Sequence, residues 1–307
     1  MAPFALKVIR FGLGLVNDLT PTLGARLSYR LFCRTDSRRP KGKKAQGVHA
    51  EGMAILARAR AVPVAVGDVT VMSYRFDGSR ADAPRALIVH GWGSSAAYLA
   101  MMAAGLAATG AMVVVMDLPG HGRSSGRHLD IGLAARAISA VAKAHGGFDH
   151  LIGHSFGGAT SLLAVSGFMP GVPALDVRQL AIIGAPSRFD FIFTGFAKML
   201  GLSSTALTKL EQDAERQTGR HPDSFKGEEL AAGLSIPVLV LHAEDDKEVL
   251  AENARRYEGL GPRVSVEWAN GFGHRRIVSA KPVIDRLSDF IWERNAAGQP
   301  EAGRASG

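Results

Sequence analysis

The chain has 307 residues, of which 47% are apolar and 21% are charged. This globular composition excludes a collagen-like, coiled-coil or wholly disordered chain. The single cysteine, Cys33, excludes an intramolecular disulfide and a thiolate cage for zinc or an iron–sulfur cluster. A reducing compartment, and therefore a cytoplasmic location, is the simplest expectation.

The net charge of +8 is concentrated at one end of the chain. Residues 1–60 hold 12 Lys/Arg and three Asp/Glu, whereas the remaining residues hold 24 and 25. A basic character spread over the whole domain would indicate nucleic acid, and this distribution does not. No nucleic-acid partner is expected.

Residues 1–60 are predicted to be an amphipathic helix and a basic linker. The first 20 residues are apolar over most of a helical wheel, and a basic run from Arg26 to Lys44 follows. Two placements of the helix stay open. It docks on the globular body, or residues 1–45 contact an anionic membrane at its inner face.

From residue 61 the sequence predicts a sheet. VPVAVGDVTVMSYRF alternates around a Gly-Asp turn, as a β-hairpin does. Short apolar strands then alternate with helical stretches, which predicts an α/β fold with a mostly parallel central sheet and helices on both faces. The predicted strands are 86–90, 112–117, 150–154, 180–186, 237–243 and 264–269, and the predicted helices lie near 95–109, 130–145, 157–168, 249–259 and 282–294.

A helical stretch at 188–233 interrupts this rhythm and is predicted to be an insertion. The core would then comprise 61–187 and 234–297, with a disordered tail at 298–307. Two stretches, 91–116 and 151–175, lack Asp, Glu, Lys and Arg. Because glycines and serines break both, buried strands beside buried helices explain them better than membrane spans.

One serine has the surroundings of a nucleophile. Gly153-His154-Ser155-Phe156-Gly157 fits the pattern G-x-S-x-G, between an apolar strand and a helical stretch. Glycines suit this sharp turn because bulkier residues would collide with the sheet or the helix. The free N–H groups at the helix start lie where negative charge would develop.

A serine hydroxyl needs a base, and the base needs a carboxylate. His274 lies in a Gly-rich loop after the last predicted strand, and Asp246 follows the strand PVLVLHA. The order Ser, Asp, His, with each residue after a predicted strand, is the order expected for a site at the carboxyl edge of the sheet.

Stabilising an oxyanion requires two converging N–H groups. The amides of Trp92, in HGWG after the strand ALIV, and of Phe156 are the candidate pair. This chemistry requires no metal and no organic cofactor.

These segments together resemble the α/β-hydrolase fold, of the bacterial serine-hydrolase type that includes serine-aminopeptidase-like and lysophospholipase-like sequences. The matching segments are HGWGSS (90–95), MDLPGHGRSSG (116–126), GHSFGG (153–158), HAEDD (242–246) and GFGHRR (271–276). The resemblance implies a small helical lid at 188–233, a nucleophile, an acid, a base and two oxyanion amides. It implies Ser155 as the nucleophile, Asp246 as the acid and His274 as the base, with the oxyanion amides at Trp92 and Phe156.

Two positions depart from the family pattern. Ala243 stands where the family usually has glycine, and two adjacent aspartates, Asp245 and Asp246, compete for the acid role. The spacing of four residues beyond His242 favours Asp246.

The resemblance implies a serine hydrolase that cleaves a carboxylic ester or related acyl bond of a small molecule through an acyl-enzyme. Alternatives are a thioester, an amide or a carbon–carbon bond as the target, or a non-catalytic, membrane-associated binding module on the same fold. An aspartate nucleophile, as in haloalkane dehalogenases, is disfavoured because Ser155 occupies the turn.

Overall fold

The computed structural model describes residues 3–35, 38 and 40–297. Within them, eight strands form one sheet in the order β1-β2-β4-β3-β5-β6-β7-β8. The strands are β1 Arg60–Val66, β2 Val69–Phe76, β3 Arg85–Val89, β4 Met112–Met116, β5 His150–His154, β6 Gln179–Ile183, β7 Val238–His242 and β8 Val264–Trp268. Strands β1 and β2 form an antiparallel hairpin, β2 runs antiparallel to β4, and the other neighbours are parallel. The predicted mostly parallel sheet is confirmed.

The central strands are apolar and buried along their whole length because helices cover both faces of the sheet. Residues of α5 and α6 fill the core on one face, and residues of α4 and α12 fill it on the other. The covering helices are α4 Ala96–Ala108, α5 Ile131–Ala144, α6 Phe156–Ser166 and α12 Lys281–Ala297, and two four-residue helices, α10 Glu252–Arg255 and α11 Gly273–Arg276, lie near the site described below.

Three helices lie between β6 and β7, in the stretch where the sequence predicts a helical insertion. They are α7 Asp190–Leu200, α8 Ser204–Thr218 and α9 Gly227–Ala232. The insertion is tied to the core at its base, where Asn253 Oδ1 accepts hydrogen bonds from the backbone N–H and the hydroxyl of Ser187.

The N-terminal arm, which runs from α1 to α3, differs from its prediction. It contains three helices, α1 Pro3–Leu19, α2 Pro21–Phe32 and α3 Lys43–Leu56, where the sequence predicts one helix and a linker. The stretch with Arg26 and Arg30 is helical because its apolar face is covered by the insertion. Tyr29 and Cys33 are buried in one cluster with Phe193 and Leu210 of α7 and α8.

Helix α1 leaves part of its apolar surface uncovered. Phe11, Leu15 and Leu19 are 78%, 51% and 72% exposed and follow each other at a spacing of four, which places them on one face of the helix. The contact with an anionic membrane therefore stays a prediction. In the described part of the chain no helix is long and apolar enough to cross a membrane. The predicted tail, 298–307, lies outside the described residues.

Candidate active site

Ser155 lies at the carboxyl end of β5 and immediately before α6, in a strained turn. Its φ of 53° is the only positive φ of a non-glycine residue within the described ranges. Such a conformation costs roughly 1–3 kcal/mol and persists only where the surroundings impose it. Here its N–H donates to Ile183 O at 2.8 Å, and its carbonyl accepts from Gly158 N at 2.9 Å. The turn exposes the hydroxyl at the edge of the sheet.

The glycines around Ser155 are required by close backbone approach. A Cβ at Gly153 would lie 2.4 Å from Gly157 O, and one at Gly157 would lie 2.4 Å from the carbonyl oxygens of Val89 and His90. Helix α6 therefore starts directly against the ends of β3 and β5. This is the collision that the sequence pattern anticipates at both positions.

The structure brings Ser155, His274 and Asp246 into one hydrogen-bonded line. His274 Nε2 lies 3.1 Å from Ser155 Oγ, and His274 Nδ1 lies 2.7 Å from Asp246 Oδ2. Because a carboxylate only accepts, Nδ1 carries the imidazole proton and Nε2 is left to accept the serine proton. Ser155 follows β5, Asp246 follows β7, and His274 lies in α11 after β8, so that all three meet at one edge of the sheet.

The carboxylate of Asp246 is held as an anion. Burial raises its pKa, but hydrogen bonds from His274 and from the N–H groups of Val249 and Glu248 outweigh burial and hold the pKa below its usual range. Asp245 is exposed, and its Oδ1 instead accepts from Gly271 N at 2.9 Å. Of the two aspartates, only Asp246 contacts the imidazole.

The amides of Trp92 and Phe156 belong to the two segments that adjoin the serine. A Cβ at Gly91 would lie 2.7 Å from Ser155 Cβ, so the loop that carries Trp92 abuts the hydroxyl. Phe156 is the first residue of α6. Among the described hydrogen bonds, neither amide has an acceptor. Both N–H groups are therefore available to a developing oxyanion.

Two buried histidines that the sequence analysis did not assign to the site hold this loop. Leu118 N–H donates to His90 Nε2, so His90 Nδ1–H donates to Gly91 O at 2.7 Å. Since the peptide unit is planar and trans, this bond directs the Trp92 N–H the opposite way. His121 accepts from Gly93 N at 3.0 Å. Burial lowers the pKa of both histidines to about 4, which keeps them neutral.

A third histidine positions the loop that carries His274. His154 Nε2–H donates to His274 O at 2.9 Å, and burial lowers the pKa of His154 to about 3. A neutral His154 places no second positive charge beside the imidazole of His274. No pattern in the sequence singles out this residue, because the position before the serine in G-x-S-x-G accepts many side chains.

Aromatic side chains connect the site with the insertion. Trp92 contacts Phe156 edge-on with ring centroids 5.5 Å apart, and Phe189 stacks on Phe225 at 4.2 Å. Two other insertion residues, Phe193 and Phe196, face away from this row and pack on Phe32 of α2, at 4.4 and 5.1 Å. No group of three His, Cys, Asp or Glu side chains in the described residues is arranged to hold a metal ion.

A family model described as "Alpha/beta hydrolase family" matches residues 86–302, more than two thirds of the chain. The chain belongs to the alpha/beta hydrolase family. It is therefore a hydrolase by family, and the N-terminal arm lies entirely outside the matched range. No curated protein matches the chain.

Solved structures share the fold at low identity. A candidate lipase (lip1) from Acinetobacter baumannii AYE is 20% identical with a TM-score of 0.61, over 82% of this chain and 97% of that one. Est1E from Butyrivibrio proteoclasticus is 16% identical with a TM-score of 0.60, over 77% and 99%. Proline iminopeptidase from Mycobacterium smegmatis is 18% identical with a TM-score of 0.56, over 78% and 100%.

Proposed function

We propose that this alpha/beta hydrolase is a serine hydrolase that cleaves a carboxylic ester or related acyl bond through an acyl-enzyme. The observation that carries the proposal is the position of His274, which lies within hydrogen-bond distance of Ser155 Oγ on one side and of Asp246 Oδ2 on the other. A serine hydroxyl becomes a useful nucleophile only when such an oriented base removes its proton.

In the acylation step, Ser155 Oγ attacks the carbonyl carbon of the ester while His274 Nε2 takes the hydroxyl proton. The Trp92 and Phe156 N–H groups donate to the oxyanion of the tetrahedral intermediate. As the intermediate collapses, the bond from carbon to the alkoxy oxygen breaks and His274 returns the proton to the leaving alcohol. The acyl group remains bound to Ser155.

In the deacylation step, water repeats this sequence. His274 takes a proton from water, the resulting hydroxide attacks the acyl carbon, and the proton passes to Ser155 Oγ as the acid leaves. Asp246 supports the imidazolium that forms in both steps, because its buried carboxylate lies 2.7 Å from Nδ1.

Two structures similar to this chain support an acyl-bond substrate. One is described as a candidate lipase, and the other is Est1E, which was solved with ferulic acid bound. At identities of 20% and 16% they do not specify the substrate, so the acyl and alcohol groups are left to experiment.

The proposal is tested by covalent labelling with a fluorophosphonate probe, which reacts with activated serines. We expect stoichiometric labelling of the full chain, mapped to Ser155 by peptide mass spectrometry, and no labelling of Ser155→Ala. Ser161→Ala is a matched control, since Ser161 lies buried in α6 and away from the turn. Labelling that persists in folded Ser155→Ala would overturn the proposal.

A further inference from the structure

A cavity of about 310 Å³ lies between the N-terminal arm and the core. We call it the arm cavity. Arg38, Lys41 and His49 line it from the arm, and the loop after β3 and the 120–122 loop line it from the core. It differs from the site around Ser155, which does not line it. Its volume is in the range of small-molecule sites and exceeds that of a single phosphate ion.

The arm wall of this cavity is fixed to the core. Helix α3 packs on α4 so closely that a Cβ at Gly52 would lie 1.9 Å from Ala97 O. Arg38 donates to the carbonyl oxygens of Gly120, at 3.2 Å, and Gly126. The arm side of the cavity is thus held against the core by α3 and by the Arg38 guanidinium.

Among the described residues the charge of the lining is positive. Arg38, Lys41 and Arg275 contribute three cations, and no described Asp or Glu lines the cavity. In the part of the chain that the structure describes, Arg38 and Lys41 have no carboxylate partner, whereas Arg275 pairs with Glu248 at 2.6 Å. Arg38 and Lys41, which have no carboxylate partner among the described residues, and Arg275, which has one, together leave a positive field that attracts an anion.

A carboxylate does lie beneath the cavity floor, and its bonds are used. Asp117 accepts from Ala96 N and Arg123 N and from the Tyr74 hydroxyl. The Asp117 carboxylate is therefore used by hydrogen-bond donors of its own loop, of Tyr74 and of the first residue of α4. It does not line the cavity.

The core wall adds hydrogen-bond donors to these charges. Ser94, Ser95 and Tyr98 line the cavity at the start of α4. The Ser95 hydroxyl itself is enclosed and has no partner among the described residues. Ser94 and Tyr98 are half-buried, and their hydroxyls are the donors of this wall.

The arm cavity adjoins the candidate active site along the chain at two points. Gly93 follows Trp92, and Arg275 follows His274. The cavity and the candidate active site are therefore built partly from the same two chain segments.

We propose that the arm cavity binds an anionic oxygen group, of the phosphate or carboxylate class, that the ester substrate carries in addition to its scissile bond. The inference rests on the proposed function for the identity of the substrate, but the anion site itself does not. It assigns a role in substrate choice to the N-terminal arm, which the family model does not cover.

The first test measures binding without catalysis. Inorganic phosphate is titrated into Ser155→Ala by calorimetry at 0.15 M salt, where screening limits charge effects to about 8 Å. Adding Lys41→Glu should raise the Kd at least tenfold, because Lys41 lines the cavity. Lys44→Glu is the matched control, an exposed lysine three residues on that does not line it, and it should leave the Kd within twofold. No saturable binding, or equal losses in both variants, would overturn the site.

The second test measures substrate choice with the full chain. A series of 4-nitrophenyl monoesters of dicarboxylic acids is compared with neutral 4-nitrophenyl esters of the same chain lengths. The ratio of kcat/KM for charged over neutral ester should fall about tenfold in Lys41→Glu, mainly through KM, and stay level in Lys44→Glu. Arg38→Lys, which retains the charge, should retain most of the ratio, whereas Arg38→Gln should not.

These two tests separate the proposals. If neither ester class is hydrolysed, the proposed function fails and phosphate binding still decides the cavity. If esters are hydrolysed and phosphate binds, but no chain length shows a charge preference that Lys41→Glu abolishes, the cavity holds a separate anion and the assignment to the substrate is wrong.

Discussion

The core and the N-terminal arm meet at the arm cavity but are stabilised in different ways. In the core, Ser155, His274 and Asp246 are fixed by hydrogen bonds among buried groups and by strands that end at one edge. In the arm, apolar contacts of α2 attach the segment, while Arg38 and Lys41 have no carboxylate partner among the described side chains. From this difference we propose that the core performs the chemistry and that the arm modifies which substrates and surfaces the protein meets.

The largest expected effect is on the core side of this comparison, at the two adjacent aspartates. Asp246→Asn should lower kcat about 10⁴-fold, because the amide can neither hold the same imidazole tautomer nor support the imidazolium. Asp245→Asn should cost only a few fold, since Asp245 bonds to the Gly271 N–H and not to His274. Steady-state hydrolysis of a 4-nitrophenyl ester measures both. The reverse ranking would move the acid role to Asp245.

The second prediction concerns the pH dependence of core stability. Burial lowers the folded-state pKa of His90 and His121 to about 4 and of His154 to about 3, whereas an unfolded histidine titrates near 6.5. Below about pH 6.5 the unfolded chain binds protons that the folded chain does not. The stability from these residues is therefore present above that pH and is lost as the pH falls towards 4.

Urea unfolding between pH 7 and pH 4.5 measures this loss. Between about pH 6 and pH 5, each such histidine should lower the free energy of unfolding by about 1.4 kcal/mol per pH unit. His154→Gln retains an N–H donor for His274 O and should flatten the slope by one such increment. A slope unchanged in His154→Gln would contradict the account.

The third prediction concerns the attachment of the arm. Phe32→Ala should lower the free energy of unfolding by about 2–3 kcal/mol, because Phe32 packs on Phe193 and Phe196 of the insertion. Phe11→Ala removes the same side chain from a position that is 78% exposed and should change stability by less than about 0.5 kcal/mol. Chemical denaturation of both variants provides the measurement. Equal effects would mean that α2 is not docked.

The smallest expected effect is on membrane contact, which we propose for the exposed face of α1. Phe11, Leu15 and Leu19 form an apolar face, and exposed Arg26 and Arg30 on α2 supply positive charge for anionic headgroups. The full chain should co-sediment weakly with vesicles containing anionic lipid, less so at high salt. Phe11→Asp should reduce this binding. Absence of binding at low salt would exclude the proposal.

The sequence predicted the core well because each of its signals has a local physical cause. A serine in a strained turn needs glycines on both sides. In the structure, a Cβ added at Gly153 or at Gly157 would lie 2.4 Å from a backbone oxygen. Apolar strands separated by helices allow few arrangements other than a parallel sheet. These signals were sufficient for the family as well as for the order of Ser155, Asp246 and His274.

Other features depend on contacts between distant segments, which the sequence does not display. The roles of His90 and His154 depend on carbonyl oxygens that the fold brings to them. The helix predicted at 249–259 is reduced to Glu252–Arg255, because the Asp246 carboxylate takes the N–H groups of Glu248 and Val249 into a turn. In the arm, the many basic residues at 26–44 favour a solvated linker in a reading of the sequence. The apolar face of α2 that docks on the insertion is therefore not predicted.

The most direct test of the central claim is the mass of the protein during turnover. With a slowly deacylating 4-nitrophenyl ester, intact-protein mass spectrometry should show one added acyl group, released with time and mapped to Ser155. His274→Ala should show little of this adduct under the same conditions, because the hydroxyl then lacks its base. Sustained hydrolysis by the full chain with no acyl adduct, or an adduct on another residue, would contradict the account.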